Sequence, residues 1–417
     1  MNKHAILRLP LVARAFLFSA MRPWPVALLI FLTISGIGQA NEGVFLFGND
    51  AQQLGRAGSG VASPRSAYWS YLNPGSMIGL DSRVDLTLFN VFPKVEAKPR
   101  GLIGNRLDGT LEAGGMFNVL SGGMIYSLEE YGRIGGGLYV PSGTGVEYEH
   151  SRNIVSRLFQ NNDDRKLMYQ HFRLVLSYAY ELPYGIGVGA SLHTSVSRFR
   201  TDHITLKFRP TRGDNEWDEA YGIGYGLGVY KAWERFSVGA SYMSRHYTQK
   251  MDKYKDLLKY SLDTPQIVQA GMGFKPWKPL ELTLDFKYLN WKGVPNYGNK
   301  LMKGGFNWHD QYAVKAGAEW TVNKHWRLMT GFAHATTPID EDHVFLSTLV
   351  PVTCEDHITL GCTYALNEHH EAHFVWVHGI KKTIKDTGRG DLLSRLGRGS
   401  EISSDGNSFA IGYSYKF

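Results

Sequence analysis

The sequence predicts an all-β protein, a 14-stranded antiparallel transmembrane β-barrel with an N-terminal plug inside its lumen. Three observations support this prediction. They are an aromatic ladder at the C-terminus, an apolar run near the N-terminus, and a rhythm of short and long connections between alternating segments. Of the 417 residues, 83–417 are assigned to the barrel.

The last nine residues, Phe409 to Phe417, place a large apolar or aromatic side chain at every second position. This alternation gives a strand one apolar and one small or polar face, which suits a wall between lipid and a lumen. A soluble edge strand this apolar would invite aggregation. A terminal phenylalanine also resembles the signal that the outer-membrane assembly machinery recognises. We therefore expect this machinery to be a partner of the protein.

Residues 1–40 are predicted to be a secretory signal peptide. Arg22 precedes a run of seven apolar residues, and small residues up to Ala40 supply a cleavage site. The run is shorter than the roughly 20 apolar residues that a spanning helix needs. The true start stays open between Met1 and Met21, because Met21 also begins a complete signal peptide.

The charge balance gives no support for a nucleic-acid partner. The formal net charge is +7, but four basic residues and no acids precede residue 41, so the remaining chain carries +3. The 47 glycines, 23 tyrosines and 21 phenylalanines supply the turn formers and interfacial rings of a barrel. The composition therefore favours an exported barrel in the outer membrane of a Gram-negative bacterium.

The two cysteines, Cys354 and Cys362, are interpreted as incidental. Eight residues apart along an extended segment, they would lie about 26 Å from each other, beyond the reach of a disulfide. The alternative is a loop that folds back to pair them.

Connections alternate between short ones, such as 128–132, and long ones, such as 93–117 and 142–165. Turns on the periplasmic side of such barrels are short and outer loops are long. Counting the segments between the connections gives about fourteen strands. The clearest runs from Leu280 to Trp291, where large apolar side chains alternate with polar ones.

One predicted strand, Tyr221–Val229, has glycine at every second position, so one of its faces lacks side chains. Repeated glycine on one face indicates close approach by another group. We interpret this face as the lumen side, occupied by a plug or a ligand. The alternative is that the glycines only ease the curvature of the barrel.

Residues 41–82 precede the first predicted strand, Arg83–Phe92, and show no clean alternation. Their many apolar side chains favour burial, so this segment is predicted to be the plug.

Two stretches of this segment, Gly55–Ala62 and Ala67–Met77, resemble the N-terminal hatch of the long-chain fatty acid transporter family, the FadL type. The hatch motif here is Asn73, Pro74 and Gly75, followed by Ser-Met, where the family usually has Asn-Pro-Ala-Gly-Met. The resemblance continues through Gly137–Gly143 and Asp263–Pro265, and so spans most of the chain after the signal peptide.

The resemblance implies an outer-membrane protein that takes up hydrophobic compounds. Long-chain fatty acids are the expected substrate, and aromatic or aliphatic hydrocarbons are the alternative. In the family, a hatch closes the lumen and substrates leave sideways through a gap at a kink in the third strand. The matching segment here is Pro141, Ser142 and Gly143, where proline lacks an N–H and glycine tolerates bent dihedrals. The alternative is that Pro141 simply ends the strand.

The hatch N-terminus in this family reaches toward the pocket, so Phe45 and Phe47 are predicted ligand contacts. Arg198 and Arg200 are predicted to meet a carboxylate head group. The alternative for both arginines is contact with phosphates of outer-leaflet lipid or lipopolysaccharide.

An outer capture loop is predicted at Met251, Tyr254, Leu257 and Leu258, which fall at helical spacing with lysines on the other faces. In the family, loop helices of this kind form a capture groove above the barrel. The alternative is a solvated loop helix that packs on its neighbours.

Catalysis has little support from motifs. The segment Glu368–His373 lacks His-Glu-x-x-His and lies where a turn meets a strand, and no Gly-x-Ser-x-Gly elbow is present. We expect no enzyme activity, cofactor or metal. Two alternatives of another class are a barrel hydrolase and a general diffusion porin. The porin predicts steady ion conductance, whereas a plugged barrel conducts little.

Overall fold

The computed structural model describes residues 42–101, 110–148, 165–201 and 215–417. The predicted signal peptide, its cleavage site and Asn41 lie outside these residues.

Sixteen strands are formed by the described residues. They are β1 (Arg83–Lys98), β2 (Leu111–Gly114), β3 (Phe117–Ser127), β4 (Arg133–Tyr148), β5 (Arg165–Leu182), β6 (Ile186–Thr201), β7 (Asp218–Ala232), β8 (Phe236–Met243), β9 (Tyr247–Thr248), β10 (Ile267–Trp277), β11 (Leu280–Leu289), β12 (Gln311–Thr321), β13 (Trp326–Ala335), β14 (Asp356–Ala365), β15 (His370–Lys385) and β16 (Glu401–Lys416).

Helices in the described residues are short. The α-helices are Ala51–Leu54, Trp69–Leu72, Pro295–Gly298 and Leu392–Leu396, and the 3-10 helices are Pro74–Gly79, Glu129–Tyr131, Pro183–Gly185, Leu301–Lys303 and Phe345–Leu349. Within the parts of the chain that the structure covers, no helix has the length and apolar character needed to cross a membrane.

The strands form one closed antiparallel wall. Neighbours in sequence pair with each other, and β16 pairs with β1 through sixteen residue pairs. Strands β2 and β3 act as one wall strand that is interrupted at residues 115–116, and β8 and β9 as one that is interrupted at residues 244–246. The described wall therefore has fourteen strands, which confirms the predicted fold class.

Side-chain alternation sorts the wall into an apolar outer face and a polar inner face. In β11, Leu282, Leu284 and Phe286 are 41–48% exposed and point outward, whereas Glu281 and Asp285 are buried and point inward. The C-terminal ladder likewise turns its large side chains outward. An apolar exterior around a polar interior is the arrangement that lipid selects.

The strands are longer at the long-loop end than the sequence predicts. β1 continues to Lys98 and pairs with β2 inside the predicted 93–117 loop, and β4 continues to Tyr148. Backbone groups gain by pairing whether or not lipid faces them. Apolar alternation fades there because neither face needs to be apolar.

The segment 42–82 fills the lumen and is almost entirely buried; we call it the luminal segment. Leu54, Trp69 and Met77 are fully buried in it. Asp50 caps the helix 51–54 by accepting hydrogen bonds from the N–H groups of Gln52 and Gln53.

Both cysteines are free, which confirms that they do not pair. Cys354 is buried just before β14, and Cys362 lies within β14, on the side of the wall that faces outward.

Candidate functional site

The lower part of the luminal segment, residues 55–79, lies toward the short-turn end and is fixed to the wall. Arg65 forms ion pairs with Glu281 and, through Nε at 3.0 Å, with Glu319. Asp285 accepts hydrogen bonds from the backbone N–H groups of Gly60 at 2.8 Å and Val61 at 2.9 Å. Since these three carboxylates point inward from β11 and β12, they tie the lower part to an intact stretch of wall.

The predicted hatch motif packs against the glycine face of β7. Asn73 donates from Nδ2 to the carbonyl oxygens of Val61 at 3.0 Å and Val229 at 3.1 Å. A Cβ on Gly228 would lie 2.1 Å from Asn73 Oδ1 and 2.8 Å from the backbone nitrogen of Gly75. Glycine is therefore required at residue 228, and the predicted close approach is confirmed there.

The other glycines of this face make room for side chains of the wall. A Cβ on Gly226 would meet Ser191, and a Cβ on Gly224 would meet His246, at 2.5 and 2.7 Å. The glycine face thus accommodates both the luminal segment and a cluster of polar wall residues.

The wall is unpaired between β3 and β4 beyond Gly122. The two strands share six residue pairs, from Ser127 with Arg133 to Gly122 with Leu138. The rest of β4, residues 139–148, has no partner in β3, and its pairing with β5 shifts register between Tyr139 and Ser142. We call this opening the β3–β4 gap. The predicted kink at Pro141 falls inside it, and the alternative that Pro141 ends the strand is wrong.

The upper stretch of the luminal segment, residues 42–49, pairs with β4 where β3 does not. Leu46 donates from its backbone N–H to the Pro141 carbonyl, and Gly143 donates to the Val44 carbonyl, both at 2.9 Å. Phe45 thereby forms an antiparallel bridge with Ser142. The upper stretch therefore acts as a substitute strand along the gap.

Glu42, at the start of the upper stretch, is fully buried between two lysines. Its carboxylate lies 2.6 Å from Lys315 Nζ and also pairs with Lys287. Lys315 donates in addition to the Phe47 carbonyl at 3.2 Å. Burial would raise the pKa of Glu42, but the two lysines outweigh it and keep this pKa below its usual value.

An apolar cavity of about 170 Å³ lies at the long-loop end of the lumen. Its lining includes Val44, Thr144, Leu167, Tyr169, Phe199, Thr201, Leu257, Leu258, Leu262, Tyr297, Phe306, Leu349 and Val350. The cavity is thus bounded by the upper stretch below, by β4 to β6 on one side and by the long loops above.

The predicted capture loop contributes to this cavity in a different conformation from the one expected. Leu257 and Leu258 line the cavity, while Met251 and Tyr254 are buried. The segment forms hydrogen-bonded turns, so the predicted helix is wrong. The Tyr254 hydroxyl donates to the Glu216 carbonyl at 2.7 Å and its ring packs edge-on against Phe199, so side-chain contacts hold the loop.

Below the cavity, Arg173 is buried among neutral partners. It donates to His171 Nε2 at 2.9 Å, to the Tyr71 hydroxyl at 3.0 Å and to Thr264 Oγ1 at 2.5 Å. The guanidinium carbon lies 5.8 Å from the ring centroids of both Phe45 and Tyr71. Among the residues that the structure describes, no carboxylate forms an ion pair with Arg173.

Of the predicted ligand contacts, the two phenylalanines lie in the lumen next to charged side chains. The Phe45 ring lies over Arg173, 5.8 Å from the Trp291 ring, and the Phe47 ring packs against His357 at 5.1 Å. Neither residue belongs to the lining of the apolar cavity. Their contact with a ligand stays a prediction.

Arg198 and Arg200 lie on the outer face of β6, whereas their inward neighbours Phe199 and Thr201 line the cavity. Both guanidinium groups stack on the Trp217 ring at 4.7 Å, and Arg198 pairs with Glu219 at 3.2 Å. This placement separates them from the cavity, so we do not assign them to a ligand.

Sequence reasoning missed Arg173 and Tyr169. Both fall on the inward positions of β5, together with Val175 and Ser177, and an arginine at an inward strand position is a signal that the alternation itself provides. Arg198 and Arg200, the predicted head-group partners, lie instead near the end of β6.

A closed barrel with an apolar exterior, a filled lumen and an apolar cavity at the long-loop end defines an outer-membrane channel protein for hydrophobic compounds. The sequence comparison gives the family. Residues 31–417 match the model described as "Outer membrane protein transport protein (OMPP1/FadL/TodX)", and the chain belongs to this family. The family consists of transport proteins, so the hydrolase alternative is set aside. The lumen filled by residues 42–82 does not match the open pore of a general diffusion porin.

Solved structures share the fold at low sequence identity. The P. putida toluene transporter TodX is 14% identical with a TM-score of 0.69, over 89% of this chain and 99% of that one. A Pseudomonas aeruginosa FadL homologue is 14% identical with a TM-score of 0.66, over 92% and 100%. The Ralstonia pickettii toluene transporter TbuX is 16% identical with a TM-score of 0.64, over 89% and 99%. The comparison with curated proteins gives no match.

Proposed function

We propose that this channel takes up long-chain fatty acids. The acid enters at the long loops beside Leu257 and Leu258, lays its chain in the apolar cavity, brings its carboxylate to Arg173 and leaves through the β3–β4 gap. The observation that carries the proposal is Arg173, a buried cation without an acidic partner among the described residues, directly below an apolar cavity.

The energetics of Arg173 favour an anionic ligand. A buried charge is costly unless it is paired, and the histidine, tyrosine and threonine that accept its hydrogen bonds are neutral acceptors. Two aromatic rings offset part of this cost through cation–π contacts. A carboxylate would supply the missing charge with short, charge-assisted hydrogen bonds.

The path from the cavity to Arg173 passes Phe45. Tyr169 lines the cavity and stacks on His171, and His171 accepts a hydrogen bond from Arg173. Phe45 covers Arg173 and also bridges to Ser142 at the gap. A ligand that displaces Phe45 therefore reaches the cation and weakens the closure of the gap in the same movement.

A monoaromatic hydrocarbon is the second candidate, and the size of the cavity favours it. An engineered apolar protein cavity of roughly 150 Å³ binds benzene, and the cavity here has about 170 Å³. The rings of Tyr169, Phe199, Tyr297 and Phe306 line it, and a neutral ligand would need no contact with Arg173. Two of the similar structures are named as toluene transporters.

Binding of a matched pair of ligands distinguishes the candidates. We would measure the affinity of the purified protein for a long-chain fatty acid, for the alcohol of the same chain length and for toluene. The acid should bind at least ten-fold more tightly than the alcohol, and Arg173→Gln should remove this difference while alcohol binding stays within two-fold.

The conservative variant Arg173→Lys keeps the charge and serves as the control for folding and for partial rescue. Equal affinity of the parent protein for acid and alcohol would reject the role of Arg173. Toluene binding without acid binding would establish the hydrocarbon candidate instead.

A further inference from the structure

We infer that Asn49 is the latch of the β3–β4 gap, the residue whose side chain joins the two strand edges while the gap is closed. This inference rests on the proposed sideways release. It assigns to Asn49 a positioning role, because its side chain acts on the wall and not on the ligand.

The Asn49 side-chain oxygen accepts one hydrogen bond from each edge of the gap. Ser121 of β3 donates from its hydroxyl at 3.3 Å, and Val140 of β4 donates from its backbone N–H at 3.2 Å. The three residues are 2–3% exposed, so water does not compete for these bonds. Asn49 thus replaces, with one amide oxygen, part of the ladder that β3 and β4 do not form.

Val140 needs this acceptor because its strand partners are lost on both sides. Pairing with β3 ends at Leu138, and the register shift toward β5 spans residues 140–141. A buried N–H without an acceptor is costly, so the closed wall depends on the bond to Asn49.

The position of Asn49 connects the latch to the cavity. Val44 lines the cavity, Leu46 holds Pro141, and Asn49 holds the adjacent residue Val140. A ligand that moves Val44 therefore pulls on a stretch that ends at Asn49.

The chain is fixed immediately after the latch. Asp50 caps the helix 51–54, and the Ala51 N–H donates to Thr87 Oγ1 of β1 at 3.1 Å. The stretch is thus anchored at both ends, by the ion pairs of Glu42 and by residue 50 and those after it, and only residues 43–49 between these anchors are free to leave the gap.

The latch is tested by the accessibility of a thiol at the gap, without any ligand. Val119→Cys, in a background with Cys354→Ser and Cys362→Ser, places a thiol on a fully buried inward position of β3 in its unpaired stretch. We would measure the rate of its modification by N-ethylmaleimide in detergent. Asn49→Ala should raise this rate about ten-fold, the effect of losing a buried hydrogen-bond acceptor. Ser121→Ala should raise it less, because the bond to Val140 remains.

Asn90→Ala is the matched control. Asn90 of β1 hydrogen-bonds to Asn118 of β3, so it also links two strands, but in a paired region of the wall. In the Asn90→Ala variant, the rate at which N-ethylmaleimide modifies the thiol at residue 119 should equal the rate in the parent protein. An unchanged rate in Asn49→Ala, or an equal rise in Asn90→Ala, would overturn the latch.

If Asn49→Ala does not fold, as judged by heat-modifiable mobility in gels, Ser121→Ala decides alone, and an unchanged rate in it overturns the inference. Since no ligand is present, the result is independent of whether fatty acids bind.

Discussion

The two parts of the luminal segment are held in different ways. The lower part, residues 55–79, meets complete wall through ion pairs and through the fit of Asn73 against Gly228. The upper stretch runs beside incomplete wall. Its first residue, Glu42, is paired with Lys287 and Lys315, but residues 43–49 carry no charged side chain. Residues 43–49 are held by backbone pairing with β4, by Asn49, by one hydrogen bond from Lys315 to the Phe47 carbonyl and by apolar contacts.

Because of this difference, we expect the lower part to keep the lumen closed and the upper stretch to be the part that moves. Side chains that are interlocked with a paired wall cannot leave without exposing buried charges, which is costly. Residues 43–49, which lie beside an unpaired edge, would need to exchange only a few hydrogen bonds to leave it, provided that Glu42 stays paired. The comparison predicts that changes in the lower part act on stability, and changes in the upper stretch act on transport.

The largest effect is expected at the contact between Gly228 and the hatch motif. Gly228→Ala places a methyl group 2.1 Å from Asn73 Oδ1 and against the backbone of Gly75, so it should destabilise the fold by about 3 kcal/mol or more. Gly114→Ala is the control, since the nearest atom to its added Cβ is 3.4 Å away. The measurement is the urea concentration at which half of the protein loses the heat-modifiable band of the folded barrel in gels. Equal midpoints for the two variants would show that the lower part is not interlocked.

A smaller loss is expected when the ion pairs of the lower part are broken. Arg65→Met leaves Glu319 buried without its cation and leaves Glu281 with Lys275 at 3.8 Å. The loss should cost about 2 kcal/mol, below the full value for a buried pair because Arg65 is partly exposed. Lys324→Met, at an exposed turn of the same end, should cost almost nothing. A midpoint for Arg65→Met that matches the control would contradict the anchoring role.

The last effect concerns transport and is reversible. It is expected for a disulfide between the upper stretch and β4. Phe45 and Ser142 form a non-hydrogen-bonded antiparallel pair, whose Cα atoms lie roughly 4.5 Å apart and within disulfide range. Phe45→Cys with Ser142→Cys, in the background free of native cysteines, should stop uptake when oxidised and regain it after reduction. The oxidised and reduced forms of one protein are each other's control. Equal uptake by both forms would mean that the upper stretch does not move.

Much of the fold followed from the period-two pattern, because lipid imposes it on every wall strand. The same pattern located the glycine face of β7, and proline chemistry located the kink at Pro141. The period-two pattern failed as a predictor in those parts of the chain that lie outside the lipid. The outer ends of β1 and β4 and the turns at residues 251–258 are set by pairing and loop contacts that no periodicity records.

The site was predicted less well than the fold for a related reason. Arg198 and Arg200 share the strand parity of the outward residue Leu192, so the alternation places them outside. Their charge nevertheless suggested a head-group site, because arginine is acceptable on either face near a wet rim. The gap itself depends on which residues of β3 and β4 stay unpaired. Pairing between two strands cannot be predicted from the sequence of either strand alone.

The place where the barrel closes on itself bears on how it survives use. The first and last wall strands, β1 and β16, meet along sixteen residue pairs, two wall strands away from the border between β3 and β4. If molecules leave sideways as proposed, the strain falls on a border whose two strands share only six residue pairs. The seam that closes the barrel, between β1 and β16, would then stay paired through each cycle of opening.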